Sequence, residues 1–136
     1  MKINATKAIP PEQLGLALSE VLLDWADDQE KEFVKAIDAA ADACNETAKQ
    51  YAPVSKRKRA GTYRNSFAID REWKARHHYT AEWHVKAPEY RLTHLLENGH
   101  LTRDGTHRTK AVKHIKYGRQ IAEQVLEERL QGLWGE

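Results

Sequence analysis

From Leu14 onward apolar side chains recur at helical spacing: Leu14, Leu18, Val21, Leu22 and Trp25. After the polar run 27–32 the same face resumes at Phe33, Ile37, Ala40, Cys44, Ala48 and Tyr51. The step from Trp25 to Phe33 is close to two turns, so the helical phase nearly survives the gap. The pattern predicts either one helix over about 11–50 or two helices with a break near 27–30. Pro10-Pro11 suits a helix start, where a missing N–H costs nothing, and Pro53 ends the segment. Ala39–Ala41, Ala43 and Ala48 mark a face that another element can approach closely. Residues 1–10 read as an extended leader.

Residues 53–64 lack apolar periodicity, contain Pro, Ser and Gly, and predict a basic loop. Two stretches with a period of two follow. Ser66–Asp70 is the first. In the second, Tyr79–Val85, Thr80, Glu82 and His84 alternate with Ala81, Trp83 and Val85. These predict antiparallel strands with one face covered, joined by a polar link over about 71–78. Leu92–His100 reads as a short helix, with Thr93 as N-cap and Gly99 where a left-handed residue ends a helix. Residues 101–113 read as a polar loop around the turn Asp104-Gly105. Ile121, Val125, Leu126, Leu130 and Leu133 predict an amphipathic helix over about 116–133. The expected fold class is α+β: a long N-terminal helix and a C-terminal helix packed on a small antiparallel sheet, with the sheet and short helix spanning 65–115.

The length of 136 residues fits one domain. No long apolar run exists, so no membrane contact is expected, and Met1–Asn4 lacks the apolar stretch of a secretory signal. The single Cys44 leaves no intramolecular disulfide and no multi-cysteine zinc site. Charge changes the picture more. Residues 1–52 carry a balance of −5, residues 53–118 carry +9 with all seven histidines, and residues 119–136 carry −2. A basic centre between acidic flanks suits self-association, an acidic protein partner, or nucleic acid.

Chemistry-bearing patterns are sparse. His94, Glu97 and His100 look at first like a metal or acid–base set, but His100 is six residues beyond His94 and past Gly99, off the shared helix face. The helical zinc pattern needs two histidines four apart. No nucleophile motif or phosphate-cradling glycine loop is present, so no catalytic residue, cofactor or metal is expected. Cys44 reads as a small buried apolar residue. The strongest charge feature is Lys56-Arg57-Lys58-Arg59, extended by Arg64. Together with Trp73, Arg103, Arg108 and Lys110 it forms the expected partner or oligomer surface. Trp134, also in polar surroundings, is a second candidate anchor, whereas Trp83 reads as core.

The order of motifs resembles the gene-product-ten-like tail-completion (head–tail joining) family of long-tailed phages. The residues that carry the resemblance are Ala52-Pro53, then Gly61, Tyr63 and Ser66-Phe67, then Leu92-Thr93-His94-Leu95-Leu96-Glu97-Asn98-Gly99-His100, and finally His114-Ile115 before the last helix. They cover about residues 45–130. Asn98 stands where that family has an aromatic residue, Ala60 replaces its threonine, and the prolines around His114-Ile115 are missing. The resemblance implies a non-enzymatic virion protein found in the host cytoplasm before assembly. It would form a ring, six-fold in most such proteins, at the head–tail interface. There it would meet the head connector and the tail-tube or tail-terminator proteins, with non-specific DNA in the lumen. Lys56–Arg59 would then face that lumen or the neighbouring connector. Leu92, Leu95 and Leu96 are expected to pack inward, His94 and Glu97 to bond locally, and Gly99, His100 and His114 to serve the fold. Two rivals belong to other classes. One is a small nucleic-acid-binding protein or metal-dependent nuclease using the basic block with His94, Glu97 and His100. The other is a regulatory protein dimerising through its first helix.

Overall fold

The computed structural model describes residues 10–54 and 61–134, and its elements are the α+β set expected. A short 3-10 turn at Pro11–Gln13 leads into one unbroken helix, α1, over Leu14–Tyr51. The polar run does not interrupt it, because 27–32 contain neither Gly nor Pro. The leader expected over 1–10 lies outside the described residues except for Pro10.

Two compact units divide the chain, Met1–Lys35 and Ala36–Glu136, and the division falls inside α1. None of the described residues of the first unit is buried. Of the residues that announce the helix, Leu14, Leu18, Leu22 and Trp25 are exposed, as are Leu16 and Leu23 beside them in the chain. Burial begins at Ala36, the first residue of the second unit.

In the second unit Ala36, Ala40, Ala41 and Ala48 of α1 are buried; of the expected alanine face, Ala39 and Ala43 are only half-buried, and Ala36 lay outside it. A one-turn helix α2 at Thr62–Asn65 follows, where a continuous loop was expected to 64. Gly61 enters it at φ +81°, the left-handed region that glycine tolerates. The hairpin β1 (Phe67–Ala75) and β2 (His78–Val85) pairs Phe67 with Val85 and Trp73 with Tyr79. The strands therefore run through what read as a link over 71–78. Only Arg76-His77 turns, with His77 at φ +64°.

Behind the hairpin a 3-10 turn at Glu89–Leu92 leads to α3 (Thr93–Asn98), and α4 runs from Ile115 to Trp134. Thr93 is the first helical residue and makes no capping bond, so the expected N-cap is absent. Residues 101–113 are not a simple loop. Backbone bonds Thr109 N–H to His100 O (2.7 Å) and Thr102 N–H to His107 O (2.8 Å) close a small arm, with Leu101 bridged to Arg108. At its tip the Asp104 carboxylate accepts from the Thr102 hydroxyl and from the amide and hydroxyl of Thr106. Those bonds hold its pKa down to about 2. Gly99 (φ +72°) lets the base of the arm close, since a Cβ there would sit 2.5 Å from Thr109 O.

Two of the contacts that tie the rest of this unit to α1 are made by polar and small residues. The polar edge of the helix, Asp38, Asp42 and Asn45, lies at i, i+4 and i+7 and meets the hairpin. Asp38 accepts from Tyr79 Oη (2.6 Å) and lies 3.2 Å from Arg71 Nη1; Asp42 pairs with Arg71; Asn45 Oδ1 accepts from Trp83 Nε1 at 3.1 Å. On α4, Gly118 lies so close to α1 that a Cβ would stand 3.0 Å from Cys44 O and 3.1 Å from its sulfur. Among the described residues no helix is long and apolar enough to cross a membrane.

Candidate functional site

A ring cluster forms the centre of the second unit. Tyr63 and Phe67 meet edge to face at 5.0 Å, as do Phe67 and Trp83 at 4.9 Å, and the His114 ring stacks parallel to Phe67 at 6.0 Å. Ala48, Ala52 and Val85 complete the buried cluster, and Leu96 packs against it. His114 is the largest fully buried side chain, at 0% exposure. An imidazole there needs partners for both nitrogens. Nε2 lies 2.7 Å from Tyr63 Oη; Nδ1 lies 2.8 Å from Val112 O and 3.0 Å from Glu97 Oε2. Both neighbours of Nδ1 are acceptors, so the neutral ring carries its proton there and Nε2 accepts from the Tyr63 hydroxyl. Burial pushes the Tyr63 phenol pKa up, which keeps it protonated as that donor.

Glu97 connects this cluster to α4. The first turn of α4 contains no acidic residue, so its free amides need an outside acceptor. Glu97 supplies it from α3. Oε2 accepts from the amides of His114 (2.9 Å) and Ile115 (3.1 Å), and Oε1 accepts from Lys116 (3.0 Å). A carboxylate at this end also meets the positive end of the helix dipole. Burial works to raise the Glu97 pKa, and the three amides outweigh it, so the carboxyl titrates below its usual range. Glu97, His114 and Tyr63 thus form one latch joining α3, α4 and α2. Val112 N–H donates to Leu96 O at 2.8 Å beside it.

The remaining expected site residues separate into three groups. Leu95 and Leu96 are half-buried, but Leu92 is exposed, because it ends the 3-10 turn outside the phase of α3. The bonds of Glu97 span 17 to 19 residues, so the expectation of local bonds fails for it, and His94 is exposed. His100 Nδ1 lies 3.1 Å from the Thr109 hydroxyl, whose Oγ1 accepts from the His100 amide at 2.9 Å. Asn98, where the resembled family has an aromatic residue, is exposed and accepts from Lys113 Nζ at 3.0 Å.

Arg103, Arg108 and Lys110 stand exposed on the arm, and Trp73 is half-exposed with its ring 5.1 Å from Tyr79. Arg64 is half-buried with its guanidinium 3.4 Å from Ala52 O. Lys56–Arg59 and the Trp134 side chain fall outside the described residues. Among those residues, no three of His, Cys, Asp and Glu are grouped to hold a metal ion.

Sequence reasoning missed Gly118 and the edge Asp38, Asp42 and Asn45. The second had a signal: three short polar residues at i, i+4 and i+7 beside an alanine face. No family model matches the sequence, and neither a characterised protein nor a solved structure matches it.

Proposed function

We propose that this chain is a structural virion protein of a long-tailed phage. In this reading it is a tail-completion or head–tail joining component, made in the host cytoplasm, that assembles as a ring at the head–tail interface and makes or breaks no covalent bond. The observation that carries the proposal is the convergence of the motif residues. Tyr63, Ser66, Phe67, Leu96, Glu97, Gly99 and His114, gathered from the separate blocks of the resemblance, meet around the latch and the arm it supports. A motif absorbed by architecture leaves the exposed surface as the part that acts, as assembly proteins require. A basic surface on the second unit suits contact with connector, terminator or DNA passing through a lumen.

The test is electron microscopy of particles made without this protein. Full heads lying apart from completed tails are expected, and intact infectious particles would overturn the proposal.

A further inference from the structure

We propose that the arm between His100 and Lys110 binds the phosphate backbone of double-stranded nucleic acid through Arg103, Arg108 and Lys110. The inference deepens the contact with DNA in the reading above and rests on that part of it alone. Leu101 and Arg108 are the bridge pair of the arm. The backbone bonds on either side of them, Thr109 to His100 and Thr102 to His107, make them its non-hydrogen-bonded pair. Their side chains therefore stand on one face, and Lys110, two residues beyond Arg108, returns to it. Burial alternates in the same sense: His100, Thr102 and Thr109 are half-buried, while Leu101, Arg108 and Lys110 are exposed. Arg103 stands in the turn at the tip, where every residue from 103 to 108 is open to solvent.

Charge and shape select the partner. The one carboxylate of the arm, Asp104, is occupied by the hydroxyls of Thr102 and Thr106 and the amide of Thr106. Among the described residues Arg103, Arg108 and Lys110 make no ion pair, whereas Arg71, Lys74 and Arg119 each face a carboxylate. From Gly105 to Ala122 the chain carries five Lys or Arg and no Asp or Glu. Cations held this way gather counterions, and releasing counterions drives phosphate contact without any apolar burial. An acidic protein partner would instead need an apolar centre, from which lysine is depleted, and this face offers Leu101 alone. The strands of a ladder stand about 5 Å apart, and the major groove is about 12 Å wide, so a duplex admits a two-stranded arm. The arm has no Phe, Tyr or Trp on which unpaired bases could stack, which favours the duplex over a single strand. Arginine forks match phosphate oxygens two at a time, and contacts to the backbone carry no base sequence.

Titration of the full chain against a short mixed-sequence DNA duplex, followed by fluorescence anisotropy between ~50 and ~200 mM salt, tests this. Binding should weaken steeply as salt rises, and the matching single strand should bind less tightly. Arg103→Ser/Arg108→Ser/Lys110→Ser should lose at least ~10-fold in affinity at the low-salt end and flatten the slope of log K against log salt by about 2–3. Its unfolding midpoint should not change, because all three side chains are exposed and the arm is held by backbone and threonine bonds. Lys31→Ser/Lys86→Ser/Arg129→Ser removes the same charge from exposed positions elsewhere and should keep the slope within about 1 of the wild type. A wild type that ignores the duplex, an arm variant that binds as well as the wild type, a control variant that loses as much, or a single strand held as tightly would each overturn the inference. So would a chain that binds polyaspartate and not the duplex, since the arm would then be a surface for an acidic protein. Separate heads and tails combined with unchanged binding by the arm variant would remove this inference alone. Intact particles combined with arm-dependent duplex binding would remove the phage reading alone.

Discussion

The two halves of α1 reverse the usual expectation about apolar residues. The first half, 14–35, holds the leucines and a tryptophan and has no buried residue. The second half, 36–51, holds alanines and is where burial occurs. A large side chain gains more from leaving water, but only if something covers it. Alanine gains little by itself, yet it lets α4 approach until Gly118 nearly touches the Cys44 carbonyl. Within one continuous helix, closeness of approach, more than side-chain size, decides what belongs to the core.

The largest expected loss tests the buried side. His114→Ala removes a fully buried ring and strands the Tyr63 hydroxyl, so it should cost about 4 kcal/mol in urea unfolding. A cost under ~1 kcal/mol would show that the centre of the second unit lies elsewhere.

Glu97→Ala should cost about 3 kcal/mol at neutral pH, because three α4 amides lose their acceptor. Its pH dependence sharpens the point. The folded pKa lies below the ordinary value, so the contribution is fully present above the normal carboxylate range. It disappears as pH falls through the lowered value. The stability gap between wild type and variant should therefore narrow in acid, and a constant gap would rule out the charged cap.

Gly118→Ala should cost about 1–2 kcal/mol by thermal unfolding. On an open helix the same change stabilises by about 1 kcal/mol, so the sign alone reports whether the two helices touch.

The smallest effect belongs to the exposed half. Leu22→Ala should stay within about 0.5 kcal/mol in the dilute monomer. A loss of ~2 kcal/mol or more would place Leu22 in a core and erase the contrast between the halves.

Periodicity made α1 and α4 readable because a helix repeats its face over many turns. The extension of β1 through Arg71–Ala75 was hidden, because three of its five residues are charged and its turn lacks the usual glycine or asparagine, using His77 at positive φ. The His100–Thr109 arm was hidden for a similar reason: its order comes from backbone and threonine bonds, which leave no apolar pattern. Of the latch, the motif indicated that Glu97 and His114 mattered to the fold. The task of Glu97 could not be read, since the amides it caps lie 17 to 19 positions further along the chain.

The closed base of that arm has a practical consequence. His100 and Thr109 are clasped by their own hydrogen bonds, so the strain of a longer tip would stop at the clasp before reaching α3 or the start of α4. Doubling a loop costs only about 0.6 kcal/mol in closure entropy. The junction between Asp104 and Gly105 is therefore a natural graft point, where an epitope or a fluorescent label can be carried without disturbing the aromatic centre.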